Sequence, residues 1–392
     1  SLSGVFEYSW RLLNPTQREI LAGLSIFRGG FDRAAALAIA EAGLSELSAL
    51  IAHSLVQRVA AGRYNLHPLL QEFAVQKLQP QQRPALYGKH SRYFLESLAD
   101  LHNQATQPLQ SDFENIRNAW LQAVAVGDAP IIQRSMAHFG EFMAQFGLMA
   151  DGEALFQQAV VRFADEGDGQ EDNAEKNEMV ANLLNQQIAF TQSIHGYQVL
   201  IPLQQRLLSL TSNPALQTKA HINLANHYAD AGQWEKADAH FEQAESLTQA
   251  APDPRLYISA VESRLHVNAL HYRGDFAQSM TKLQQMLALL DNLSPPTPTA
   301  GEKAKRNGEI SSGETVDLRS QLLQSLALVC LRYGDYALAI YYFQQNLDWI
   351  TDIAHQQRRA GALLNLALAE DFAGLYAAAI VHNREALALA EE

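Results

Sequence analysis

Apolar and polar positions along the chain follow two different periods. In residues 14–27, NPTQREILAGLSIF, the residues Ile20, Leu21, Leu24 and Phe27 share one helical face. Asn14 is placed to cap that helix and Pro15 to open it. The next segment, RGGFDRAAALAIAEAG, starts at a Gly29-Gly30 turn and predicts an alanine-rich helix capped by Asp32 and closed by Gly43. A third helix, LSELSALIAHSL, follows at once. The period then changes to two: LVQRVA and YNLH, joined by a turn at Ala61-Gly62-Arg63, predict a β-hairpin. After it PLLQEFAVQKL is helical again, with Pro68 in its first turn. Three helices, a hairpin and a helix predict a winged-helix-like module over residues 1–79. A helical connector, containing ALYGKHSRYFLESLADL and FENIRNAWLQAVAVGD, is expected over 80–130.

Beyond residue 130 a repeat emerges. In NLANHYADAGQWEKADAHFEQA, ALHYRGDFAQSMTKL, SLALVCLRYGDYALAIYYF and NLALAEDFAGLYAAAIVHNREA the glycines Gly232, Gly274, Gly334 and Gly374 fall in register. Each is followed two residues on by an aromatic, Trp234, Phe276, Tyr336 or Tyr376. Three residues later comes a small residue, Ala237, Ser279, Ala339 or Ala379. The pattern reads as paired helices: glycine makes the corner, the aromatic fills the space between helices, and the small residue allows close approach. It resembles the tetratricopeptide repeat, which Leu224, Ala225, Tyr228, Gly232, Trp234, Ala237, Phe241 and Ala244 match marker by marker. Two weaker units keep Gly147, Phe156 and Ala159 in one case and Tyr197 in the other. The expected fold is therefore mainly α, a winged-helix module followed by an α-solenoid of tetratricopeptide-like hairpins over 131–392. The glycines lie further apart than the roughly 34 residues of the commonest form of the repeat. Part of the excess is NLSPPTPTAGEKAKRNGEISSGE, a polar, Pro- and Gly-rich stretch expected as a disordered insertion near 292–316.

In a solenoid of this kind the first helix of each pair lines the inner surface, which predicts partner contacts at Asn226, Asp230, Arg264, Asn268, Tyr272, Gln324 and Arg332. Any one of them also reads as ordinary solvated helix face.

Composition narrows the chemistry. Forty-seven per cent hydrophobic residues in 392 supply ample core. The 29 Lys and Arg against 42 Asp and Glu leave a net charge of −13 without a clear basic cluster, so nucleic acid is a poor default partner. The second and third helices lack the basic face of a DNA-reading helix. A single cysteine, Cys330, in an apolar helical context suggests packing in a reducing compartment. No apolar run reaches the roughly 20 residues of a membrane span and no signal peptide opens the chain, so a cytoplasmic location is expected. The start at Ser1, in what reads as a helix approach, predicts a piece of something longer. The 13 histidines form no H-E-x-x-H and no Cys/His cluster, so no metal site is expected. No G-x-x-x-x-G-K-[ST] is present, so these residues alone are not expected to hydrolyse a nucleotide, and no G-x-S-x-G elbow occurs. The chain reads as a non-enzyme.

One residue stays open on its own terms. His67, in GRYNLHPLLQEFAVQKL, stands between strand and helix and reads either as a structural residue bonded to nearby backbone or as a ligand contact. The order LSIFRGGF, SALIAHSLVQRV, GRYNLHPLLQEFAVQKL, connector and repeat array resembles the C-terminal half of a STAND-class signal-transduction ATPase with an NB-ARC-type nucleotide domain. That resemblance implies an upstream nucleotide-binding domain holding ADP or ATP, with no cofactor in this part. It also implies that a histidine at the start of the last winged-helix helix, here His67, reaches the β-phosphate of ADP and holds the resting state. Leu66, His67 and Pro68 occupy the family's Met-His-Asp motif, and Pro68 departs from it by removing the carboxylate. The array then implies a sensor for an inducer protein, peptide or small molecule. The alternative is a free-standing tetratricopeptide adaptor without a nucleotide switch.

Overall fold

The computed structural model describes residues 2–59, 62–100, 111–164, 174–250, 253–271, 273–293, 312–350 and 356–391. They form nineteen helices and one two-stranded hairpin. The architecture is mainly α and built of helical hairpins, as the repeat pattern predicts. Two compact units divide the chain, Ser1–Gly196 and Tyr197–Glu392. Among the described residues no single helix is long and apolar enough to cross a membrane.

The first unit opens with α1 (Leu2–Leu12), α2 (Pro15–Leu24), α3 (Arg33–Ala40) and α4 (Leu44–Ala52). Asn14 and Gln17 close a reciprocal capping box on α2. The Ala35 N–H donates to the Asp32 carboxylate at 2.7 Å to start α3. The expected end of that helix is corrected: it stops at Ala40, and Gly43 caps the start of α4 instead. Glu41 takes the left-handed turn (φ 57°), and the buried Ala42 donates its N–H to the Ala36 carbonyl at 3.1 Å, which closes the helix without a glycine. The hairpin is shorter than its alternation suggests: β1 (Gln57–Arg58) pairs antiparallel with β2 (Tyr64–Asn65). Tyr64 also exchanges both backbone hydrogen bonds with Phe31, so β2 is bonded on two sides. Gly30 makes this approach possible, because at φ +86° any Cβ there would lie 2.7 Å from the Tyr64 carbonyl oxygen. Helix α5 (Pro68–Lys77) follows.

The remaining helices of this unit are α6 (Arg83–Asp100), α7 (Phe113–Val126), α8 (Ala129–Gln145), α9 (Met149–Ala164) and α10 (Ala174–Thr191). Asn115 of α7 ties them to the opening module. It accepts the Arg28 N–H at 2.6 Å and donates to the Gly30 carbonyl at 2.8 Å, fully buried. Beside it His90 of α6 is buried among Phe27 and Phe94, with Asn115 as its polar neighbour. Deeper in, Trp120 stacks on Phe139 at 4.2 Å, with Phe156 and then Phe190 extending the aromatic layer. Gly152 lets α9 meet α10: a Cβ there would sit 2.6 Å from the Phe190 ring.

The second unit comprises α11 (Tyr197–Leu210), α12 (Pro214–Asp230), α13 (Trp234–Ala250), α14 (Pro254–Leu270), α15 (Phe276–Leu293), α16 (Ser312–Tyr333), α17 (Tyr336–Trp349), α18 (Gln356–Phe372) and α19 (Tyr376–Glu391). Each register glycine occupies the corner between the first and second helix of a pair, with φ of 71°, 87°, 91° and 78° at Gly232, Gly274, Gly334 and Gly374. Around it the residue after the glycine donates back to the first helix: Gln233 to Tyr228, Asp335 to Cys330 and Leu375 to Glu370, at 2.8, 3.0 and 2.8 Å. Small residues Ala237, Ser279, Ala339 and Ala379 are all buried. The aromatics need a correction. Trp234, Phe276 and Tyr336 are half-buried against the core, and two of them reach the following pair, Trp234 against His271 at 4.8 Å and Tyr336 against Phe372 at 5.8 Å. Tyr376, expected in the core, is 64% exposed, because among the described residues no further pair packs on it. Most of the expected insertion lies outside the described residues; α15 runs through Leu293 and α16 begins at Ser312.

Two outcomes are expected. Gly152→Ala forces the Phe190 ring aside and destabilises the fold by about 1–3 kcal/mol, read from the urea midpoint. Burial holds the His90 pKa down to about 4 from an ordinary 6.5, with Asn115 a smaller opposing influence. The unfolded chain therefore binds the extra proton first as pH falls, so stability present above about pH 6.5 is lost progressively toward pH 4. By pH 5 the loss is about 2 kcal/mol. His90→Leu should flatten that part of the stability profile; an unchanged acid slope would show that His90 does not supply it.

Candidate functional site

The first helices α12, α14 and α16 carry the residues expected to meet a partner, and the structure uses several of them for packing between pairs. The Ser263 hydroxyl of α14 donates to the Asn226 amide oxygen of α12 at 3.2 Å. Arg264 pairs with Glu245 of α13 at 3.2 Å, each about a quarter exposed. Asn268 is half-buried on α14, and its carbonyl accepts the Arg273 N–H at 2.7 Å. Asp230 is exposed at the end of α12, and Arg332 is half-buried near the end of α16. Tyr272 lies outside the described residues.

Gln324 is the expected residue that lines a cavity. About 290 Å³ in volume, this cavity has Ser320, Gln321 and Gln324 of α16 on one wall and Arg358, Gly361 and Asn365 of α18 on the other, with Ile350 between them. Gly361 leaves its wall open, since a Cβ there would meet nothing within 4 Å. Behind the first wall the Ser320 hydroxyl donates to the buried Asn346 amide oxygen at 2.7 Å, which holds that serine in place. Three carboxamides facing one space can each donate and accept, so the cavity suits a ligand bearing main-chain amides or hydroxyls. Down the same face of α18, Leu364, Leu368 and Phe372 follow at one-turn intervals, each about half exposed. The sequence reading did not single out Gln321, Arg358 and Asn365. Gln321 stands one turn before Gln324, so helical spacing alone could have found it. Arg358 and Asn365 required knowing that the opening turns of α18 face those of α16.

Elsewhere in this unit burial sets the charge of several groups. His221 and His240 place their Nδ1 atoms 2.8 Å apart across α12 and α13, with Tyr228 stacked on the His240 ring, and burial lowers both pKa values. Each ring therefore favours the neutral form, one donating to the other. Burial pushes the Cys330 thiol up to about 12, so it stays protonated beside Met280 and is a poor nucleophile. Among the described residues no three His, Cys, Asp or Glu side chains converge as a metal site.

In the first unit His67 is exposed and caps α5. Its Nδ1 accepts the Leu69 N–H at 3.3 Å, which places the ring at a helix N-terminus. The contact to neighbouring backbone anticipated for a structural histidine is therefore present. It leaves the ring's other nitrogen as a donor.

No family model and no curated protein matches this sequence. Among solved structures, the chain is similar to the crystal structure of a signal transduction ATPase with numerous domains (STAND) protein with a tetratricopeptide repeat sensor from Pyrococcus horikoshii. The TM-score is 0.63 at 15% sequence identity, over 99% of this chain and 52% of that one. The chain thus spans about half the length of that protein, and the likeness is one of fold.

Proposed function

We propose that this chain is the arm and sensor region of a STAND signal-transduction ATPase, whose NB-ARC-type nucleotide domain would precede it. The observation that carries the reading is the likeness in fold, across 99% of the chain, to a STAND protein with a tetratricopeptide repeat sensor. The region itself is non-catalytic. The helical pairs of the second unit take an inducer, a protein, peptide or small molecule, at the α16–α18 cavity and along the adjoining face of α18. The opening module acts as a winged helix that presents His67 to nucleotide.

Chemistry at His67 fits that role. With Nδ1 accepting from Leu69, the ring hydrogen sits on Nε2, a donor suited to a phosphate oxygen, and the neighbouring helix N-terminus favours an anion. Pro68 at the first helical position supplies neither an amide nor the carboxylate of the family motif, so the histidine acts without that partner. Inducer binding shifts the switch only by its difference in affinity for the resting and open states, typically about 1–3 kcal/mol.

The test is made in the full-length protein. His67→Asn keeps a capping oxygen for α5 but removes the imidazole. ADP dissociation is expected to accelerate on the order of tenfold, about 1.4 kcal/mol, with little change in melting temperature. An unchanged ADP off-rate removes His67 from the nucleotide site. A reading frame with no phosphate-binding loop upstream of this region would replace the switch by the adaptor reading.

A further inference from the structure

The buried faces of α14 and α16 hold three polar side chains that neither the packing nor the cavity accounts for. Glu262 is 7% exposed, and its carboxylate oxygen lies 2.5 Å from the Ser325 hydroxyl, which is completely buried. The same hydroxyl lies 2.8 Å from Nδ1 of His266, one turn along from Glu262 on α14 and the member of the three with the most residual exposure. A single hydroxyl thus stands between a carboxyl and an imidazole, and it carries one hydrogen to donate. We propose that Glu262, Ser325 and His266 form a proton relay between two successive helical pairs, in which ionisation of the buried carboxyl is tied to the tautomer of His266.

Hydrogen-bond counting supplies the coupling. With one proton loaded, the Glu262 carboxyl donates to the Ser325 oxygen, Ser325 donates to Nδ1, and His266 keeps its hydrogen on Nε2. When the proton leaves, the carboxylate can only accept, so Ser325 turns its hydrogen to Glu262 and must accept in turn from Nδ1–H. The transfer balances: the Glu262 proton passes to Ser325, the Ser325 proton passes to Nδ1, and Nε2 releases one proton to solvent. His266 moves from the Nε2–H to the Nδ1–H tautomer. Adding a second proton instead places a charge on the part-buried His266 ring, which burial disfavours.

Charged groups also stand on the helices packed against the relay. On α12 they are His227 and Asp230; on α13, Glu245 pairs with Arg264 and Asp238 with Arg273. On α15, Asp291 pairs with Arg319 of α16 and Lys282 is exposed, while Asp335 caps α17. Arg332 of α16 lies near that helix's end, and the Cys330 thiol stays protonated. Burial is the leading influence on both relay ends. It raises the Glu262 pKa to about 7, against a smaller lowering by Ser325, and lowers that of His266. The carboxyl therefore changes charge near neutrality while burial favours the uncharged imidazole. Ser325 directly follows Gln324 of the cavity wall, so the relay's state is set within one residue of the proposed inducer site. The relay itself does not depend on that assignment.

The experiment is a pH titration from 5.5 to 8.5 of the whole chain labelled with ¹⁵N-histidine, with the imidazole tautomers read by two-bond ¹H–¹⁵N spectra. His266 is expected to pass from Nε2–H to Nδ1–H with a midpoint near 7. Glu262→Gln, which cannot ionise, is expected to hold one tautomer throughout. Ser325→Ala should uncouple the histidine, abolishing the switch. A wild-type His266 that keeps one tautomer across the range overturns the proposal whatever the variants do. So does a Glu262→Gln protein that still switches.

Discussion

The structure depends on left-handed glycines at the corners of helical pairs. A helix that stops leaves its last carbonyls without partners, and a tight return lets the chain's own N–H groups satisfy them. In the second unit Gln233, Asp335 and Leu375 all donate back in this way after Gly232, Gly334 and Gly374. The first unit uses the same closure: Asp128 donates to Ala123 after Gly127, and Leu148 to Met143 after Gly147. An L-residue with a side chain pays a steric cost in this conformation, which glycine avoids. Because the corner sets where the second helix starts, it also sets which residues of the two helices meet.

Everything packed between the pairs follows from that register. Ala237, Ser279, Ala339 and Ala379 lie buried where the second helix crosses the first, and the corner aromatics Trp234 and Tyr336 reach forward to His271 and Phe372 of the following pair. Arg264–Glu245 and Ser263–Asn226 add polar links between pairs. Side chains that a sequence reader assigns to ligand binding are thus partly consumed in building the surface on which a ligand would rest. What remains open is the α16–α18 cavity and the apolar row Leu364, Leu368 and Phe372 beside it.

Buried polar groups carry the second theme. Asn115 is fully satisfied and fastens α7 to the loop before α3, whereas His90 beside it is held mainly by aromatic packing and disfavours its charged form. The Glu262–Ser325–His266 group lies between these extremes: it is satisfied, but only in states where donors and acceptors alternate. Such groups add little net stability compared with apolar packing, yet they make the helix interface respond to protons.

By itself the sequence determined the element types and their order, the caps at Asn14 and Asp32, Pro68 at the start of α5, and the four glycine corners, because these are properties of a few neighbouring residues. The same locality explains the errors. Gly43 looked like a helix end because nothing nearby revealed that Ala42 would be buried, and Tyr376 looked like core because its neighbours cannot tell whether another pair covers it. Only the tertiary structure decided that Gln324 faces a cavity while Arg264 faces Glu245, that Arg358 and Asn365 complete the cavity, and that Ser325 joins Glu262 to His266. Each of those facts requires two helices distant in the chain to meet at one register. That register is set by packing of whole faces, which no local spacing encodes.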